Sequence, residues 1–237
     1  MPLLEIRNLV KRFGGITAVA GIDLEVRRGE VVGVIGPNGS GKTTLMNLIN
    51  GIIKPDEGEI IFQNHRIAGF KPHKVATLGM ARTFQITKVF NEMTVLENLL
   101  ATPSADSRWK REERIKRAVD FLRFVGLEDK INEAASTLSG GQKKLLEFAR
   151  ALMLNPTLML LDEPFAGVHV SIVTRLSELI ERMKIEEKTF IIVSHDIHTI
   201  SRLSDRVVVM NEGKKIAEGK PAEVSVDREV IRVYLGE

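Results

Sequence analysis

The sequence predicts an α/β fold whose core is interrupted by a helical segment, and three observations carry that expectation. Apolar runs recur at Val31–Ile35, Thr157–Leu161 and Phe190–Val193. Each is too short for a buried helix and unbroken in the manner of central parallel strands. A glycine-rich loop, Gly36-Pro37-Asn38-Gly39-Ser40-Gly41-Lys42-Thr43, joins the first run to a helical stretch from Thr44 to Asn50. Between about 86 and 155 the texture turns helical, and no stretch rich in Pro, Gly or Ser separates independent domains.

Taken in order, Leu4 to Val10 alternates loosely and Ile22 to Val26 cleanly between apolar and polar residues. That is the pattern of half-buried antiparallel strands. The turn Pro55-Asp56-Glu57-Gly58 leads into a short strand, Glu59 to Phe62. A short helix from Pro72 and a strand from Ala81 to Phe84 follow. Thr94-Val95-Leu96-Glu97 has capping-box spacing and opens a helix through Leu100. Arg108 to Val125 carries Ile115, Val119, Leu122 and Val125 on one helical face, and Leu145 to Leu154 continues the block. Val207 to Met210, the tight turn Asn211-Glu212-Gly213 and a return over Lys215 to Ala217 read as a hairpin. A last helix covers roughly Pro221 to Tyr234.

At 237 residues the chain can bury a substantial core, and 43% hydrophobic with 27% charged residues argues against disorder. A net charge of +3 is too mild for nucleic-acid binding without a concentrated basic patch. The densest basic stretch, Arg108 to Arg117, is broken by Glu112 and Glu113 and reads as a solvated helix face. The absence of cysteine excludes a disulfide framework and fits a reducing cytosol. No stretch is apolar enough to cross a bilayer, and Met1 to Glu5 carries no targeting pattern. Any membrane association is therefore expected to come through a partner.

The glycine loop is the most specific chemical signal. Only an unhindered backbone curls tightly enough to aim successive N–H groups at one anion, and the following helix N-terminus adds donors and partial positive charge. Lys42 is placed for the β- and γ-phosphates and the Thr43 hydroxyl for Mg²⁺, with Thr44 next in the helix. With fixed residues each used at roughly 5–10%, a chance match has odds on the order of one in a hundred. Asp162 and Glu163 end an apolar strand, where a sheet's carboxyl edge binds ligands. The expected division has Asp162 holding Mg²⁺ and Glu163 polarising the attacking water. Ser139 and Gln142 satisfy capping-box spacing in Leu138-Ser139-Gly140-Gly141-Gln142, and the two glycines let an anion approach a second helix N-terminus. His195, after the strand ending at Val193, shares the edge of Asp162 and is a candidate for contacting a γ-phosphate or the attacking water. Gln85 is a candidate Mg²⁺ ligand, and Phe13 a candidate adenine platform, although phenylalanine is more often core.

In this order, Gly36–Thr43, Gln85, Leu138–Gln142, Asp162-Glu163 and His195 resemble the ATP-binding cassette (ABC) ATPases over nearly the whole chain. Lys11–Gly15, Ala81–Gln85 and Ala217–Gly219 look like the branched-chain amino-acid importer subfamily. The resemblance implies a RecA-like P-loop NTPase core with an antiparallel β-subdomain over 1–85 and 156–237. An inserted α-helical subdomain over 86–155 bears the signature. It implies ATP and Mg²⁺ as ligands and head-to-tail pairing with a second ATPase subunit, identical or not. In that pairing Ser139 and Gly141 complete the γ-phosphate site of the opposite Lys42. It further implies that Gln85 senses γ-phosphate and relays closure to permease subunits at the cytoplasmic membrane face, served by an extracytoplasmic solute-binding protein. Phe13 takes the place of an adenine-stacking aromatic that is often tyrosine. One departure is His169, which stands where relatives usually carry Asp or Asn in the inter-subunit loop and raises the expectation of a pH-sensitive contact. A soluble cassette acting on nucleic acid or the ribosome usually carries a coiled-coil insert or two cassettes, and this chain has neither. A nucleotide-gated module without turnover sits poorly with intact Glu163 and His195. Lipid or polysaccharide export stays open, while the subfamily-like segments favour amino-acid import.

Overall fold

The computed structural model describes residues 1–103, 109–195 and 197–235. Two sheets and the helices around them account for these residues. A four-stranded antiparallel sheet, ordered β2-β1-β4-β5, comprises β1 (Leu4–Phe13), β2 (Ile16–Val26), β4 (Glu57–Phe62) and β5 (His65–Arg66). A six-stranded sheet, ordered β10-β9-β3-β8-β7-β6, comprises β3 (Val31–Ile35), β6 (Met80–Arg82), β7 (Leu158–Asp162), β8 (Thr189–Val193), β9 (Arg206–Asn211) and β10 (Lys214–Gly219). Its strands pair in parallel except for the β9–β10 hairpin. The helices are α1 (Lys42–Ile49), α2 (Pro72–Thr77), α3 (Val95–Leu100), α4 (Arg111–Val125), α5 (Gly140–Leu152), α6 (Val170–Ile185), α7 (Ile197–Leu203), α8 (Pro221–Val224) and α9 (Arg228–Leu235).

Parity along the central strands explains why their apolar runs are unbroken. On β7, Met159 and Leu161 join the core built with α3 to α7, whereas Leu158 and Leu160 join the core built with α1 and the antiparallel sheet. Strand β8 splits in the same way, Phe190 and Ile192 against Ile191 and Val193. A strand covered on both faces needs apolar residues at odd and even positions alike.

Several boundaries differ from the sequence reading, among them β2, which starts at Ile16, and α1, which starts at Lys42, and three of the shifts have a visible cause. The C-terminal helix is two helices, because the Asp227 carboxylate accepts from Glu229 N (2.8 Å) and Val230 N (3.1 Å) and caps a fresh start. Strand β6 ends at Arg82, short of Phe84, because the Phe84 N–H leaves the sheet and donates to the Glu147 carboxylate (3.3 Å). Helix α4 starts at Arg111, where Glu113 reaches back to accept from Lys110 N (2.9 Å); Arg108 lies outside the described residues. The capping box at Thr94 and Glu97 forms as its spacing requires, with both reciprocal bonds made.

Ile191 is fully buried on β8, between β3 and β7. Ile191→Ala is expected to lower unfolding stability by about 2–5 kcal/mol through lost burial and a residual cavity, read as a shifted denaturation midpoint at unchanged denaturant slope.

Candidate active site

Because β3, β6, β7 and β8 run parallel, the segments that follow them emerge at one edge of the sheet. Those segments carry the glycine loop, Gln85, Asp162-Glu163 and His195. Sheet order alone thus gathers residues up to 159 positions apart, Gly36 to His195.

The loop after β3 needs glycine at two points for different neighbours. Gly36 (φ 151°) has Met210 O 2.1 Å from where a Cβ would sit, and Gly41 (φ 100°) has Ala18 O at 2.2 Å. Both neighbours are backbone, so any side chain would force the loop open. Ser40 N bonds Pro37 O (3.2 Å), closing the turn. The Lys42 ammonium donates to Gly36 O and Pro37 O, each at 2.8 Å, and touches Ser40 Oγ at 3.3 Å. Burial pushes the Lys42 pKa down, opposed by the charges of Glu163 and Asp162. A cleft of about 210 Å³ opens above the loop, lined by residues 38–39 and 41–44 with Ala18, Gln85 and Glu163. A larger hollow of about 400 Å³ along α4, around Trp109 and Phe121, shares no residue with it.

Asp162 ends β7 with 2% of its side chain exposed, and its Oδ2 accepts from Arg82 (2.8 Å). The same guanidinium donates to Asn47 Oδ1 on α1 (2.7 Å). Asp162 Oδ1 is buried and has no hydrogen-bond partner among the described residues. An ionised oxygen with unused lone pairs suits a hard dication such as Mg²⁺. The next residue, Glu163, adopts a left-handed backbone (φ 49°), which for a non-glycine residue stores on the order of 1 kcal/mol and turns its side chain away from the strand's alternation. Its Oε2 accepts from His195 Nδ1 (2.9 Å), from Ser194 Oγ and from His195 N (both 3.4 Å). The acceptor at Nδ1 fixes the imidazole tautomer and leaves Nε2 on a ring that is mostly exposed.

The loop from Asn38, Gln85 and Glu163 are therefore brought together, with His195 bonded to Glu163 from outside the cleft lining. Gly36, Pro37 and Ser40 shape the loop without lining it. Phe13 stays half exposed at the β1–β2 tip, with the Lys11 ammonium 5.4 Å from its ring; of that hairpin, Ala18 reaches the cleft. Ser139 and Gln142 complete their capping box at the head of α5 (3.3 and 3.0 Å), and Ser139 and Gly140 are exposed, away from the cleft of their own chain. His169 caps α6, its Nδ1 accepting from Ser171 N (3.3 Å). Sequence reading passed over Arg82, Asn47, Lys144 and Glu147. The available signal was a charge inside an apolar setting: Arg82 closes the otherwise buried Met80-Ala81, and Glu147 follows Leu145-Leu146.

A glycine loop, a buried strand-end aspartate and an adjoining glutamate–histidine pair at one sheet edge define a P-loop nucleotide hydrolase. A family profile described as ABC transporter matches residues 19–166, and one described as branched-chain amino acid ATP-binding cassette transporter matches 214–237. The chain is 39% identical to the probable branched-chain amino acid transport ATP-binding protein LivG of Archaeoglobus fulgidus, over all of this chain and 96% of that one. Its fold matches the ADP conformation of an ATP-binding cassette of an ABC transporter, with TM-score 0.91, 37% identity and full coverage of both chains. It also matches a dimeric post-hydrolysis cassette bound to ADP and phosphate, with TM-score 0.82, 28% identity and coverage of 92% of this chain and 98% of that one. The chain belongs to the ABC transporter family and is its ATP-hydrolysing cassette. Among the described residues, no helix is long and apolar enough to cross a membrane.

Lys42→Ala is expected to weaken ATP binding about tenfold or more, roughly 1.4 kcal/mol, by removing the only buried ammonium lining the described cleft. Titration calorimetry with ATP checks it, and unchanged affinity would remove Lys42 from the phosphate site.

Proposed function

We propose that this chain powers import of branched-chain or related amino acids, pairing with a second cassette and docking beneath permease subunits at the cytoplasmic membrane face. The observation that carries the ATPase part is Glu163, which lines the cleft that holds Lys42 while His195 and Ser194 fix its carboxylate. A general base must be both oriented and within reach of the attacking water, and this one is oriented before substrate arrives. The choice of solute rests on the branched-chain amino acid transport named for the relative and on the C-terminal match.

On this reading, ATP lays its phosphates along residues 36–44, with Lys42 exchanging the carbonyls of Gly36 and Pro37 for β- and γ-oxygens. Thr43, Gln85 and the free oxygen of Asp162 would hold Mg²⁺, which when bound supplies charge neutralisation for the phosphates. Glu163 takes a proton from the attacking water, and His195 holds that carboxylate and offers Nε2 toward the γ-phosphate. Phe13 offers its exposed face to adenine. Ser139 and Gly140 are exposed, Gly141 and Gln142 are half-buried, and none of the four lines its own chain's cleft, which fits a role at the partner's γ-phosphate. The chain's helical segment over 86–155, with Gln85 at its entry, is the surface that would face the permease. A solute-binding protein would act only through those subunits.

Glu163→Gln keeps the residue's size and its hydrogen bonding but removes the base. It is expected to bind MgATP with near-wild-type affinity, to lower phosphate release about a hundredfold or more, and to accumulate as a nucleotide-bound dimer by light scattering. A variant that stays monomeric at saturating ATP would exclude the paired cassette. Uptake of leucine by proteoliposomes holding the intact transporter tests the solute; transport of a lipid instead would reassign it.

A further inference from the structure

Helix α5 begins at the Ser139 turn, yet its charged side chains reach main-chain groups of two other loops. The Lys144 ammonium donates to three carbonyls of the turn after β7: Glu163 O (2.9 Å), Pro164 O (3.3 Å) and Ala166 O (2.7 Å). One turn further on, Glu147 Oε1 accepts from Phe84 N (3.3 Å) and Lys88 N (3.2 Å), the amides on either side of Gln85. Another turn on, Arg150 donates to Lys88 O and stacks its guanidinium 4.7 Å from the Phe90 ring centroid. Glu147 is 7% exposed; burial pushes its carboxyl pKa up and the Lys144 pKa down. Desolvating two charges is costly unless they are fully hydrogen-bonded, and here both are bonded to backbone rather than to each other.

The turn that Lys144 grips is the one in which Glu163 holds its left-handed backbone. Three carbonyls converging on one ammonium over-determine that conformation, as a strained turn requires. A helix is stiff over this span. Ser139 and Lys144 are separated by about 8 Å along the axis, so a tilt at the head of α5 is carried to both loops.

We infer that Lys144 and Glu147 are positioning residues through which the N-terminal turn of α5 sets the cleft, Lys144 by clamping the turn that carries Glu163 and Glu147 by holding the amides flanking Gln85. The inference rests on the reading of Glu163 as general base and of the Ser139 turn as a γ-phosphate contact. Neither residue lines the cleft. A displacement of the α5 turn on a partner's phosphate would then reach base and sensor together, giving each cleft a report on the state of the other.

The test uses the full chain with Lys144→Met, Lys144→Arg, Glu147→Gln and, as a control for the base, Glu163→Gln. Fluorescent-ATP affinity is expected to stay within about twofold of wild type in the Lys144 and Glu147 variants, while kcat of Lys144→Met falls about tenfold or more, the penalty of a misplaced base. Lys144→Arg, which keeps donors for the three carbonyls, is expected to recover most of kcat. In Glu147→Gln the Phe84 and Lys88 amides are expected to exchange hydrogen about tenfold faster, without change at buried β8 amides. Wild-type kcat in Lys144→Met with only a lowered melting temperature would overturn the Lys144 half, and unchanged exchange at Phe84 and Lys88 would overturn the Glu147 half. Should Lys144→Met not fold, Lys144→Gln supplies the same comparison. Wild-type turnover in Glu163→Gln would instead overturn the base assignment on which the Lys144 half stands.

Discussion

The constraint on which the rest depends is that five strands run parallel in one sheet buried on both faces. Parallel pairing sends every connection across a face and returns every strand in the same sense, so segments following β3, β6, β7 and β8 share an edge whatever their separation in sequence. Burial on both faces removes polar side chains from the strands themselves. Chemistry is left to the residues just past the strand ends. Asp162, the last residue of β7, sits at that boundary, still on the face of Leu158 and Leu160 and hence directed toward α1 and Arg82.

The electrostatics of the edge follow from that placement. Two carboxylates and a lysine share a region where water is scarce, and Arg82 supplies a further cation with 5% of its side chain exposed. Arg82 occupies one oxygen of Asp162, leaving the other with lone pairs to spend. Lys42 rests on two carbonyls of its own loop, weaker acceptors than phosphate oxygens. Both groups are held in place by contacts that a stronger ligand can replace, so much of the cost of ordering the site is met before nucleotide arrives.

Much of this was legible in the sequence, and for identifiable reasons. Unbroken apolar runs at 31–35, 157–161 and 190–193 read as central strands because their length and two-sided pattern leave little alternative. The boxes at Thr94 and Ser139 read correctly because local chemistry decides them, and the glycine loop falls between strand and helix as read, although its helix opens two residues early, at Lys42. What escaped was set by distant partners. The Phe84 amide leaves its strand for Glu147, 63 residues on, and Arg82 finds Asp162 80 residues on. The break before Arg228 was a local signal overlooked, since Asp227 is an ordinary capping residue.

The geometry also bears on why one chain would carry two anion-binding turns. Within this chain the Ser139 turn is exposed while the glycine loop lies in a cleft that it does not line. A second helix N-terminus facing outward can accept an anion from elsewhere in place of water. If each of two copies lends its turn to the other's triphosphate, both copies would grip one γ-phosphoryl group, and hydrolysis would weaken the interface by cutting that group from the nucleotide. The ties from Lys144 and Glu147 then acquire a physical purpose, since they join the base and the sensor to the helix whose first turn would meet the partner. A lone cassette would lack the partner's turn at its γ-phosphate, so turnover that wastes ATP without moving solute would meet an incomplete set of charge-stabilising donors.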